Sequence, residues 1–267
     1  MDALRKLEEF ASLHLKASSA PLERREADWI CEYVFRNFPP EEREEKVLQF
    51  LEKRKSGFPL AYLLGTQPFH AIELKVTPEV LVPRPETEEL VENLLKVLPE
   101  AGTGLDLGCG SGAIALALAK ALPHWRFSAV DVSPAALSVA KENAASLRLE
   151  DQVSFYLGSW FDPLPEDSCY DLIVTNPPYV GTKEEIDLGA TFEPPLALFA
   201  GEDGLEAYKS ILPEAARRLK KGGLFAGECG PYHGSALLEL AKNAGFTKAK
   251  ILKDASGRDR FLFAFAD

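Results

Sequence analysis

Apolar residues at Leu4, Leu7, Ala11 and Leu15 recur at helical spacing, and Ala27, Ile30, Cys31, Val34 and Phe38 form a second stripe of the same period, with Pro21 near its start. Pro40 opens a third segment around Val47, Leu48 and Leu51. It is acidic where it begins (Glu41 to Glu45) and basic where it ends (Lys53 to Lys55), the order a helix dipole favours. Three stripes of this kind predict a small helical bundle whose faces pack on one another. Near residue 57 the pattern changes. Gly57, Pro59, Gly65 and Pro68 punctuate the chain and Ile72-Glu73-Leu74-Lys75-Val76 alternates, so a β-hairpin linker is expected within Leu60 to Val82. Val82-Pro83-Arg84-Pro85-Glu86-Thr87-Glu88 follows, with Arg84 and Glu86 at the start of a helix that runs on through Leu90, Val91, Leu94, Leu95 and Leu98.

From Leu105 onward strand-like and helix-like patterns alternate, which predicts a parallel sheet covered on both faces. Strands are expected at 104–107, 126–132, 153–157, 171–175 and 224–227, with helices at about 112–121, 134–148, 205–219 and 234–244. The end of the chain breaks the alternation. Segments 248–252 and 260–265 are separated by a link too short for a helical crossover, so they should pair antiparallel.

At 267 residues the chain has room for one large domain or a main domain with a small one. Met1 to Ala20 carries charges throughout and lacks an apolar core segment, so neither a secretory signal nor a membrane association is expected, and the location expected is cytoplasmic. Cys31, Cys109, Cys169 and Cys229 and the four histidines are scattered without ligand spacing, which argues for reduced thiols and against a metal site. The net charge of −11 falls almost wholly beyond residue 56, where 29 acidic residues face 19 basic ones. A protein that tracks phosphates shows the opposite balance, so a basic protein partner suits this chain better than nucleic acid.

The most informative stretch is Asp171-Leu172-Ile173-Val174-Thr175-Asn176-Pro177-Pro178-Tyr179. A buried strand ends in an amide, two prolines and an aromatic ring. The prolines impose an extended exit and contribute no N–H, which leaves the carbonyls of Asn176 and Pro177 available to an outside donor. With the Asn176 side-chain carbonyl and the flat face of Tyr179, they suit a planar NH2 group, whose two hydrogens bond two oxygens while its π system lies on the ring. An amide or aromatic NH2 is a weak nucleophile. Gripping both hydrogens favours rehybridisation and offsets the charge that builds on nitrogen during attack, with no strong base required.

Leu105-Asp106-Leu107-Gly108-Cys109-Gly110-Ser111-Gly112 joins a strand to a helix through glycines that permit a tight turn and close approach to a ligand. Asp131 ends the next strand, placed to accept both hydroxyls of a ribose. The loop alone fits a nicotinamide dinucleotide as well as S-adenosylmethionine. The NH2-gripping motif separates the two, because alkylating nitrogen takes a methyl donor and not a hydride carrier. Trp160, after the third strand, could stack on an adenine or serve as core or lid.

With these residues in view the sequence resembles the HemK/PrmC family of protein-(glutamine-N5) methyltransferases, over essentially its full length. The likeness runs through Ala61-Tyr62-Leu63-Leu64-Gly65, the Arg84–Glu88 segment, the Asp106–Gly112 loop and Asn176–Tyr179. It continues in Glu193-Pro194-Pro195-Leu196-Ala197-Leu198, Gly201-Glu202-Asp203-Gly204-Leu205 and Ser256-Gly257-Arg258-Asp259-Arg260. The resemblance implies a class I S-adenosylmethionine-dependent methyltransferase fold: a Rossmann-like, mostly parallel sheet with an antiparallel final strand, preceded by the helical bundle (1–59) and hairpin linker (60–84), the catalytic domain spanning 85–267. It implies that Gly108, Cys109, Gly110, Ser111, Gly112, Asp131, Trp160 and Asn176 hold S-adenosylmethionine, without a metal. It further implies that Asn176, Pro177, Pro178 and Tyr179 receive the glutamine of the Gly-Gly-Gln loop in class-1 peptide chain release factors, with Asn176, Pro177 and Tyr179 catalytic. The helical part and hairpin would hold the release factor, and a monomer is expected. Alternatives are ribosomal-protein glutamine methylation, adenine-N6 or cytosine-N4 methylation of nucleic acid, and a non-catalytic or nicotinamide-binding module. Two positions depart from the family pattern: Ser159 stands where an acidic residue often precedes the Trp, and Glu228-Cys229-Gly230 where many members carry His after the glutamate.

Overall fold

The computed structural model describes the backbone of residues 2–16 and 24–267, with the side chains of 3–12 and 24–267; Pro21, expected near the start of the second helix, lies outside the described residues. Two units emerge. The first comprises Met1–Thr66 with Ile186–Phe192, and the second Gln67–Glu185 with Glu193–Asp267.

In the first unit the expected stripes become α1 (Asp2–Lys16), α2 (Arg24–Asn37) and α3 (Arg43–Lys55), followed by a short α4 (Leu60–Leu64). Leu7, Ala11, Ala27, Ile30, Cys31, Val34, Val47 and Leu51 form its core. Arg54 of α3 grips Glu26 of α2 with two hydrogen bonds of 3.1 and 2.9 Å, a planar fork on a carboxylate that also fixes the helices' relative rotation. Burial pushes the Cys31 thiol up to about 12, so it packs as a small hydrophobe and is unreactive. Within the same unit Phe192 meets Phe58 edge to face at 5.3 Å, which ties the distant segment Ile186–Phe192 to the end of the bundle.

The expected hairpin is shorter than 60–82. Leu60-Ala61-Tyr62-Leu63-Leu64 follows Pro59 and is closed by Gly65 at φ 74°, a helical turn with its usual stop, so it enters α4. Pairing is confined to β1 (Thr66–Phe69) and β2 (Ile72–Lys75). The chain then builds α5 (Pro85–Leu95), β3 (Ala101–Leu107), α6 (Ala113–Ala121), β4 (His124–Asp131), α7 (Pro134–Leu147), β5 (Val153–Leu157) and β6 (Tyr170–Thr175). It finishes with α8 (Glu206–Arg218), β7 (Leu219–Glu228), α9 (Gly234–Asn243), β8 (Lys248–Lys253) and β9 (Asp259–Phe265).

The seven-stranded sheet has the order β5-β4-β3-β6-β7-β9-β8. The first five strands in that order are parallel, and β9 runs antiparallel to both β7 and β8. Leu172 and Val174 of β6 face one apolar layer and Ile173 the other, each fully buried, as a central strand of a doubly covered sheet requires. Chain order reverses between β3 and its neighbour β6. In sheets of this kind the crevice for a ligand opens at that reversal, beyond the carboxyl ends of the strands.

Candidate active site

Register decides which residues meet at the reversal. Leu107 of β3 lies beside Thr175 of β6 and beside Val130 of β4, so Gly108, Asn176 and Asp131 leave the sheet as neighbours. The Thr175 hydroxyl donates to the Leu107 carbonyl at 2.7 Å and locks the two ends together. Gly108, Gly110 and Gly112 all have positive φ, at 71°, 54° and 82°, which turns the backbone from strand into the N-terminus of α6. A Cβ at Gly110 would stand in open space, so the absence of a side chain there keeps the crevice clear. Asp131 closes the loop from the other side: Oδ2 accepts from Gly110 N and Oδ1 from Ser133 N, both at 2.8 Å. Each oxygen keeps one lone-pair direction for a ligand hydroxyl. After β5, Trp160 takes φ 45°, a conformation bulky residues seldom adopt, and its ring sits 3.6 Å from where a Cβ on Gly108 would be. Such strain is common at ligand sites.

These elements enclose a cavity of about 390 Å³ that belongs wholly to the second unit, within the range of roughly 300–1,000 Å³ typical of small-molecule sites. Of the residues expected from sequence, Gly108, Cys109, Gly110, Ser111, Asp131, Trp160, Asn176 and Pro178 line it. Gly112 does not, because it caps α6 with its back to Leu116. Pro177 is buried outside the lining, and Tyr179 is not among the lining residues either, its hydroxyl bonded to Glu228, which in turn bonds the lining residue Thr87. The lining also includes Val132 and Leu196, both exposed, and Thr87. Its charged residues are Glu79 and Asp131, both acidic. A cationic ligand suits such walls.

Behind Asn176 lies a buried polar chain. Asn176 Nδ2 donates to Thr87 Oγ1 at 3.1 Å, the Thr87 hydroxyl to Glu228 Oε2 at 2.6 Å, and the Tyr179 hydroxyl to Glu228 Oε1 at 3.1 Å. The Tyr208 hydroxyl donates to the Glu228 backbone carbonyl, and Arg260 to the Cys229 carbonyl at 3.2 Å. Burial pushes the Glu228 carboxyl above its usual range, opposed by hydrogen bonds from Thr87 and Tyr179 and by the charge of Arg260. Burial, reinforced by the Glu228 charge, drives the Tyr179 phenol far above its usual value, so it keeps its proton and cannot act as a base. At the rim, Glu193 is buried. It accepts from Val82 N at 3.1 Å and pairs with Arg84, which pins the segment before α5 against the loop after β6.

Beneath the glycine loop, Asp106 Oδ2 accepts from Ala115 N at 3.1 Å while Oδ1 is buried without a partner. Burial raises this carboxyl to about 7 from an ordinary 3.8. The native state therefore holds a proton that the unfolded chain releases between those values. Its contribution to stability grows as pH falls through 7 and is lost as pH climbs back through it. Asp106→Asn should remove this pH dependence, up to about 1.4 kcal/mol per pH unit. Melting temperatures of the two proteins across this window check it, and an unchanged slope would clear Asp106 of the role.

Thr87 and Glu228 were not singled out from sequence. Thr87 lies inside the Arg-Pro-Glu-Thr-Glu motif, but its hydroxyl works across 141 positions of chain, a distance no local pattern reports. Glu228 was named only within Glu228-Cys229-Gly230, for the residue that follows it, one position beyond the expected strand 224–227.

The family model described as "Methyltransferase small domain" matches residues 85–193. A curated relative named Release factor glutamine methyltransferase, from Moorella thermoacetica, is 46% identical over 222 residues, 81% of this chain and 78% of its own. Another of that name from Caulobacter vibrioides is 44% identical over 219 residues, 80% of this chain and 75% of its own. Among solved structures, a methyltransferase from Pyrococcus furiosus aligns with a TM-score of 0.54 at 22% identity, covering 72% of this chain and 87% of that one. A T. thermophilus 16S rRNA N2 methyltransferase in complex with AdoMet and guanosine gives 0.55 at 22%, covering 76% of this chain and 50% of that one. Likeness at that distance establishes the fold, a class I methyltransferase sheet. The curated relatives carry more: by identity and coverage, the chain belongs to the family of release factor glutamine methyltransferases.

Proposed function

We propose that this protein transfers the methyl group of S-adenosylmethionine to the side-chain amide nitrogen of the glutamine in the Gly-Gly-Gln loop of class-1 peptide chain release factors. One observation carries the reading beyond family membership. Asn176 stands at the cavity with its NH2 committed to Thr87 and its Oδ1 accepting nothing from the described residues. An unengaged carbonyl at the end of a glycine-lined crevice is an acceptor for a substrate N–H.

The cavity fits the cofactor on its own terms, with a glycine loop free of side chains, a carboxylate with spare acceptor directions and walls without a cation. Gly108 to Ser111, Asp131 and Trp160 would hold it, and bound there it supplies an electrophilic methyl on a sulfonium. Asp131 would take the ribose hydroxyls. The Asn176 Oδ1 and the Pro177 carbonyl, to which no described donor is bonded, each accept one hydrogen of the glutamine NH2. Pro178 walls the amide in, and Tyr179, fixed by its bond to Glu228, gives it a flat surface. As nitrogen attacks, the N–C bond forms, the C–S bond breaks and positive charge grows on nitrogen against those two oxygens. The alkylated nitrogen then releases its proton to water. The helical unit, with the hairpin, recognises the release factor in this reading, and the protein acts as a cytoplasmic monomer on translation termination.

Incubation of the protein with a class-1 release factor and S-adenosylmethionine should add one methyl, mapped by mass spectrometry to the Gly-Gly-Gln glutamine. Duplex DNA in parallel should take up none. Transfer to a ribosomal-protein glutamine or to a base amine, with none to the release factor, would replace the proposal.

A further inference from the structure

We propose that Thr87, held by Glu228, is a positioning residue that fixes which way round the Asn176 amide faces. The inference rests on the reading of Asn176 Oδ1 as an acceptor for the substrate NH2.

The two ends of an asparagine amide have nearly the same shape, and only hydrogen bonding distinguishes them. Turned over, Asn176 would present its own NH2 to the NH2 of the substrate, donor against donor. Thr87 forbids that orientation. Its hydroxyl carries one proton, and its oxygen lies 2.6 Å from Glu228 Oε2 and 3.1 Å from Asn176 Nδ2. Against the effect of burial, hydrogen bonds from Thr87 and Tyr179 and the charge of Arg260 favour the ionised form of Glu228. A carboxylate only accepts, so the proton goes to Glu228, along the shorter and charge-assisted contact. A lone pair is left facing Asn176, and an N–H alone can meet it. The amide therefore gives Nδ2 to Thr87 and Oδ1 to the cavity.

The other end of the relay is fixed too. Glu228 is 1% exposed, with Oε1 engaged by Tyr179 and its backbone carbonyl by Tyr208. Thr87 itself is 3% exposed and sits in the first turn of α5. Thr87 does not cap the helix: the cap position belongs to Arg84, and the Thr87 hydroxyl bonds nothing in α5. Its bonds run across to the ends of β6 and β7, a placement that helix formation does not require.

Four proteins test this: Thr87→Val, Thr87→Ser, Asn176→Ala and the Thr87→Val/Asn176→Ala double variant. Loss of the hydroxyl should lower kcat for release-factor methylation roughly tenfold to a hundredfold, with KM and the Kd of S-adenosylhomocysteine moved less than about threefold. Thr87→Ser should recover most of the loss. In the Asn176→Ala background Thr87→Val should cost nothing further, because no amide remains to be oriented. Equal losses in both backgrounds, equal losses for Val and Ser, or a loss confined to KM or cofactor affinity would each overturn the proposal. Thr87→Ala takes the place of Thr87→Val if a second methyl against Glu228 prevents folding.

A readout independent of activity separates this from the substrate assignment. The side-chain NH2 resonances of Asn176, identified by their disappearance in Asn176→Ala, should shift and exchange faster in Thr87→Val and not in Thr87→Ser. If they do while no release factor is methylated, the relay stands and the substrate reading falls. If they stay put in an active enzyme, the relay is wrong.

Discussion

Asn176→Ala should lower the turnover of release-factor methylation by a factor of a hundred or more, on the order of what removal of one preorganised oxyanion-hole contact costs. The size follows from what the side chain is asked to do. Its oxygen bonds one hydrogen of a nucleophile whose lone pair is delocalised, and that bond strengthens as the nitrogen pyramidalises and gains charge. A contact that tightens only in the transition state appears in kcat and little in KM. Cofactor affinity should change less, because Asn176 is one residue among many that line the cavity. Nor should the fold suffer: Thr87 keeps its bond to Glu228 and loses only a donor to its free lone pair. The measurement is single-turnover methyl transfer from labelled cofactor beside a titration with S-adenosylhomocysteine. Turnover unchanged, or lost only in step with cofactor binding, would remove Asn176 from the chemistry.

Much of this site could be read from sequence, because its parts lie next to regular elements. Leu172-Ile173-Val174 had to be a strand, and the two prolines had to end it. The glycines after Leu107 had to turn, and Asp131 had to sit at a strand end. Alternating strands and helices called for parallel strands, and the short link before residue 260 for an antiparallel finish; the strand order, with the reversal beside β3 that brings those ends together, is given by the fold. Contacts between residues far apart in the chain left no such signal. Leu60–Leu64 looked like part of a hairpin because Gly and Pro flank it, yet those residues are the start and stop of a helical turn. Ile186–Phe192 carries no pattern that assigns it to the helical unit, and Phe192 joins that unit by one aromatic contact with Phe58. Thr87 and Glu228 were invisible for the same reason. Each is unremarkable among its neighbours, and their role exists only where α5 meets the ends of β6 and β7.

Asp131→Ala should raise the Kd of S-adenosylhomocysteine at least about a hundredfold, since two hydrogen bonds to a charged acceptor, each worth about 1.5–3 kcal/mol, are removed together. Two losses combine. The ribose would lose both acceptors, and the loop would lose its lock, because the same carboxylate receives Gly110 N and Ser133 N at 2.8 Å each. With those N–H groups unanswered, the positive-φ turn through Gly108 and Gly110 has less to hold it in the shape that clears the crevice. Asp131→Asn separates the contributions. Its one carbonyl can still receive one backbone N–H, while its NH2 faces the other donor, so part of the lock survives but the double acceptor does not. An intermediate Kd is therefore expected, ordered native, Asn, Ala. Isothermal titration with S-adenosylhomocysteine gives that order directly, and thermal melts show whether the loop variants remain folded. Equal Kd for native and Asn proteins would mean that the ribose does not need two acceptors. Equal Kd for native and Ala proteins would mean that the cofactor does not lie along the end of β4 at all.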